Sequence, residues 1–224
     1  MSPGRGPGSS AEQGPGASSW TGAAESARGS AGPLALPDGV TVHLVRHGRP
    51  LVDPSRPPAT WGLDPEHLDG VRALRASGVL PLGARWVSSA EPKARETAVA
   101  LTGGPVAVDE ALGEQARPAG WLDDYAVRIH RSLVVQDAPA APGWETAASA
   151  GARVVGAVRR RAEGAAREGA ADLVLVGHGT AWTLLVSALT GRPVDLYAWE
   201  RLQLPDACTL EGDRLVRRWG AWQG

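Results

Sequence analysis

The chain has 224 residues, with 23 basic against 24 acidic and a net charge of −1, so it allows one domain of ordinary size plus extra chain and offers no global field to recruit nucleic acid or an anionic membrane surface. Its one cysteine, Cys208, excludes an internal disulfide and a multi-cysteine metal site. No apolar run approaches the ~20 residues of a membrane span, and the opening "MSPGRGPGSS" lacks the apolar core of a secretory signal, which together suggest a soluble, cytoplasmic protein.

Residues 1–36 are rich in Gly, Ser, Pro and Ala and nearly devoid of bulky apolar side chains, so they are expected to be a disordered tail ahead of a folded domain at 37–224. "VTVHLV" (40–45) reads as a buried parallel strand, and "PEHLDGVRALRASG" (65–78) as a helix ending at Gly78. "ARWVSS" (84–89) is a short strand leading into a helix with Ser88 or Ser89 as cap, Pro92 in its first turn and Gly103-Gly104 at its end. "PVAVDE" (105–110) is a further strand, whereas 111–142 have weak periodicity and loop signals. A long helix follows over 144–169, with Val154, Val155 and Val158 facing inward. Then come a second buried strand, "ADLVLVGHG" (171–179), a helix capped by Thr180 and stopped at Gly191, and a hairpin turning at Gly212-Asp213.

Strands alternating with helices predict a three-layer α/β/α fold with a mostly parallel central sheet. In such sheets ligands gather beyond the carboxyl ends of the strands. "RHG" (46–48) and "GHG" (177–179) end the two most apolar strands, which brings two imidazoles, a guanidinium and two helix starts to one edge. That set suits a phosphate. A metal site fits poorly, because His43 and His47 lie ~13 Å apart on one strand and no carboxylate cluster or HExxH accompanies them. His43 is better read as a hydrogen-bonded core residue. A serine hydrolase fits no better, since "GHGTA" lacks the GxSxG elbow.

"LVRHG" (44–48) and "LVGHGTA" (175–181) resemble the two histidine motifs of the histidine phosphatase superfamily, the phosphoglycerate mutase-like fold. Between them, "VSSAEPKARETAVAL" (87–101), "VDEALGEQARP" (108–118) and "GWETAASAGARV" (143–154) resemble its intervening stretches in the right order, so the likeness covers roughly 40–218.

The resemblance implies that His47 is the nucleophile, forming a phosphohistidine, with Arg46 and His178 holding the phosphoryl oxygens. It implies Glu114 as general acid and then base, protonated mainly once a phosphate is bound; Glu145 is the alternative. No cofactor or metal is implied, and the expected partner is a small-molecule phosphate ester. Nucleic acid and membrane are not expected, and a homodimer is left open.

Lys93, the lone lysine, falls where the second phosphate-binding arginine of the family stands, and the alternative is a surface lysine near a helix start. Gly48 and Gly179, Arg49 and Trp61 complete the expected substrate contacts, with Trp121, Tyr125 and Trp144 around the mouth. The family's asparagine after RHG has no counterpart, since the chain contains none, which argues for a small phosphatase-like branch and against phosphoglycerate mutase activity. Two rivals stay open. One is a repurposed relative with other chemistry; the other is a non-catalytic phosphate-binding protein.

Overall fold

The computed structural model describes residues 35–118 and 122–223. The expected tail lies almost wholly outside the described residues, as does Trp121. Six strands form one sheet: β1 (Thr41–Arg46), β2 (Arg85–Ser89), β3 (Ala107–Asp109), β4 (Asp172–Gly177), β5 (Asp206–Glu211) and β6 (Arg214–Arg217). Their spatial order is β3-β2-β4-β1-β5-β6. The first four of these run parallel, β5 runs antiparallel to β1, and β6 returns from β5 through the turn at Gly212. Gly212 adopts φ 58°, a left-handed value that glycine takes without steric cost.

Alternation along the central strands supplies two cores. Val42, Leu44, Leu173 and Leu175 face α4 (Ala147–Arg167) and α5 (Gly179–Thr190). Val45, Val174 and Val176 face α1 (Asp69–Ala76) and α2 (Pro92–Thr102). Helices thus cover both faces, the expected three layers. Val154, Val155 and Val158 are buried as the periodicity indicates. His43 is buried in β1, its ring nitrogens bonded to Asp172 and Thr209.

Three expectations need correction. Neither serine caps α2. Glu91 does, because Pro92 takes the first helical position and holds the residue before it extended. Thr180 does not cap α5 either, since His178 is still extended and the helix begins at Gly179. The stretch 111–142, expected as loop, contains α3 (Tyr125–Val134), which packs Tyr125, Ile129 and Leu133 against Trp144, Ala147 and Leu184. A short α6 (Leu196–Glu200) precedes β5.

Candidate active site

β1 and β4 are neighbours in register, Arg46 opposite Gly177, and the His47 amide extends the ladder by donating to the Gly177 carbonyl at 2.9 Å. The next residue on each strand is a histidine. Their rings stand 5.3 Å apart, centroid to centroid, at 62°. Both are buried.

His47 Nδ1 lies 2.7 Å from the Gly48 carbonyl, an acceptor only, so Nδ1 carries the proton and Nε2 keeps its lone pair. Burial lowers the His47 pKa well below the ordinary 6.5, and His178, Lys93 and Arg46 push the same way. The ring is therefore neutral at physiological pH, with the Nε2 lone pair available. Burial likewise brings His178 down to about 3, with Lys93 adding to the effect and Glu114 opposing it. The Ser89 hydroxyl accepts the Glu91 N–H at 3.3 Å and can donate to His178 Nε2 at 2.8 Å. His178 Nδ1 is a buried atom with no partner.

Gly48 is pinned from the other side. Its N–H donates to the Thr97 hydroxyl at 2.9 Å, which donates in turn to the Lys93 carbonyl at 2.7 Å. A Cβ at Gly48 would come within 2.7 Å of Leu63 and Val71, so only glycine fits this close approach. Arg46 anchors on the segment after α6, Nη1 donating to the Leu202 and Gln203 carbonyls at 2.6 and 3.3 Å, while its Nε is buried without a partner. A Cβ at Gly179 would lie 3.1 Å from that Nε.

Lys93 is buried, and its ammonium donates to the Pro58 carbonyl at 2.8 Å and to the Glu91 carboxylate at 2.5 Å. It is thus a buried residue and not a surface lysine, whereas Arg95 two positions on is exposed. Nothing in the motif comparison singled out Glu91. Its signal was the charge two residues before the lone lysine.

Glu114 lies at the start of α5, where its carboxylate accepts from the Thr180 and Ala181 amides at 3.2 and 3.0 Å and from the Gln115 amide at 2.9 Å. It supplies from another segment the cap that Thr180 was expected to give. Burial would raise its pKa, but Arg117, His178 and the amides outweigh it and bring the group to about 2. Glu145 is committed elsewhere. Both its oxygens bind the Arg153 guanidinium, at 3.1 and 2.8 Å, and one also accepts the Ala116 amide. Arg153 additionally donates to the carbonyls of Ala111, Gly113 and Glu114, bracing the loop that carries Glu114.

Arg117 was also missed. It reaches the Thr180 hydroxyl at 3.0 Å and lies over the rings of Tyr125 and Trp144, which places Trp144 in the site's wall. Arg49 is exposed with its charge near Asp64. Trp61 is buried, its indole N–H donating to the Asp53 and Arg56 carbonyls, and its own carbonyl accepts the Lys93 amide. It folds the loop after RHG and seats Lys93.

Residues 42–216 match the family described as the histidine phosphatase superfamily (branch 1). The chain belongs to that superfamily. No curated protein sequence matches the chain significantly. Among solved structures, this superfamily member is similar to a phosphoserine phosphatase from Entamoeba histolytica in complex with phosphoserine, at 16% identity and a TM-score of 0.63 over 82% of this chain and 98% of that one. A phosphoglycerate mutase from Bacillus anthracis aligns at 17% identity and a TM-score of 0.62, covering 80% and 92%. A mycobacterial glucosyl-3-phosphoglycerate phosphatase in complex with VO3 shares 26% identity at a TM-score of 0.57, covering 82% and 98%. The phosphoglycerate mutase-like fold and an enzyme of the histidine phosphatase kind are thereby established.

Proposed function

We propose that the protein hydrolyses phosphomonoesters through a phosphohistidine on His47, without a metal ion. The observation that carries this is the pair of neutral imidazoles 5.3 Å apart, one with a free lone pair and the other with an unpartnered buried nitrogen. His47 Nε2 attacks phosphorus as the ester P–O bond breaks. Arg46, Lys93 and the His178 Nδ1–H hold the equatorial oxygens and stabilise the charge that spreads over them. These donors supply the neutralisation that a metal would otherwise give.

Glu114 is ionised at rest. A phosphoryl dianion arriving beside it opposes that charge, so the carboxylate takes up a proton with the substrate. It gives the proton to the departing alkoxide, then accepts one from the water that attacks the phosphohistidine. Phosphate leaves and His47 is restored. The 26% likeness to a glucosyl-3-phosphoglycerate phosphatase supports a small-molecule ester as substrate.

Rapid quenching with labelled aryl phosphate is expected to trap an acid-labile, base-stable phosphoprotein that His47→Ala lacks. An active wild-type enzyme that traps none contradicts the mechanism. A second reading, a repurposed relative, draws on the pairing of Lys93 with Glu91; it predicts no turnover of generic esters from about pH 4 to 9, a window that spans the ordinary carboxylate and imidazole pKa values.

A further inference from the structure

Glu91 opens α2, yet its side chain makes no bond to the amides of its own helix. Its extended backbone sends the carboxylate across the pocket instead. One oxygen holds Lys93 Nζ at 2.5 Å; the other accepts the Glu114 amide at 2.8 Å and lies 3.4 Å from His178 Nε2. A lysine ammonium has three donors. Pro58 and Glu91 take two, which leaves one for a phosphoryl oxygen.

The charges in the pocket point the same way. Arg46, Lys93 and Arg117 are cations, Glu91 and Glu114 are anions, and both imidazoles are neutral. Lys93 and Glu91 cancel as a pair, so a cation aligned with the family's phosphate-binding arginine brings no net charge to the resting site. An anionic carboxylate beside a phosphoryl dianion is repulsive, and the low exposure of the Lys93 and Glu91 side chains strengthens the repulsion.

We infer that Glu91 sets phosphate affinity: its carboxylate neutralises Lys93 in the resting enzyme and opposes the phosphoryl dianion that takes the remaining Lys93 donor, so it holds that affinity down. It is a specificity-determining residue and not the proton donor. This rests on the phosphatase reading above. It adds a counter-charge built by this chain, at a position where the motif comparison assigns no role.

The test titrates inorganic phosphate and orthovanadate into the full-length wild type, Glu91→Gln and Glu91→Leu. Both variants are expected to bind the anions about tenfold more tightly, since each removes one nearby negative charge. KM for an aryl phosphate falls with that affinity, while kcat does not rise in proportion. A carboxylate with a merely structural role would move affinity the other way on removal. Unchanged or weaker anion binding in a folded variant overturns the inference, as does a hundredfold loss of kcat confined to esters with poor leaving groups, the mark of a proton donor.

Because Lys93 is the only lysine, a [15N]lysine-labelled wild-type sample gives one Nζ resonance. That resonance is expected to shift as phosphate saturates the site. If phosphate inhibits turnover and the signal stays still, Lys93 gains no phosphate contact and the inference fails without any variant. If the wild type neither binds these anions nor turns over any ester, the phosphatase reading itself is what falls.

Discussion

Thr97→Val isolates the support beneath His47, the proposed nucleophile. The Thr97 hydroxyl is the acceptor for the buried Gly48 N–H at 2.9 Å, and the carbonyl of Gly48 holds His47 Nδ1 at 2.7 Å. Valine keeps the shape and removes the oxygen, so a buried donor is left without its partner. Such a loss costs about 1–3 kcal/mol. With a urea slope of about 2 kcal/mol per molar, the unfolding midpoint should drop by roughly 1 M at unchanged slope. Freed of its anchor, the 47–48 peptide can rotate and carry the imidazole off line. A misplacement near 1 Å is enough to reduce turnover of an aryl phosphate by up to about a hundredfold. Thr97→Ser keeps the hydroxyl and serves as the control, with most of the activity retained. Urea unfolding and steady-state kinetics on the three proteins suffice. A valine variant matching the wild type in both, or a serine variant as impaired as valine, would falsify the chain of support from Thr97 to His47.

Acid should destabilise the protein in two stages, measurable as denaturant midpoints against pH. The unfolded chain's histidine takes protons from the ordinary 6.5 downward while folded His178 refuses them to about 3, so stability is fully present above 6.5 and declines below it. Glu114, held at about 2 against an ordinary 4.5, adds about 3 kcal/mol above 4.5 that is lost as pH falls toward 2. Glu114→Gln should therefore be less stable at neutral pH, with the gap to wild type closing in acid; a gap that stays constant with pH refutes the assignment. Gly177→Ala should lower stability by about 1–3 kcal/mol through overpacking, because the new methyl would meet the buried Trp182 ring at 2.5 Å. A thermal melt unchanged from wild type would show that the ring can move aside.

What could be read from the chain was whatever repeats locally. Val42, Leu44, Val174 and Val176 announced central strands, Gly103 and Gly191 closed helices with left-handed turns, and the two histidines marked the carboxyl ends of two neighbouring strands. What escaped depended on side chains reaching across elements. Glu114 caps a helix distant in sequence, Arg153 grips three carbonyls of another segment, and Glu91 turns away from its own helix, so no local period encodes any of them. α3 was obscured differently. Its inward Tyr125, Ile129 and Leu133 recur every four residues, but exposed Val127 and Val134 blur the contrast between faces.

The register between β1 and β4 carries a further consequence. One imidazole follows each strand, and the two strands lie far apart in the chain, with α1 to α4, β2 and β3 threaded between them. A fragment cut anywhere in that interval and unable to reassociate carries one of the two imidazoles and no more. Regain of the proposed turnover after dilution from denaturant would consequently report the pairing of β1 with β4, and a proteolytic nick that lets the halves part should abolish it at a stroke.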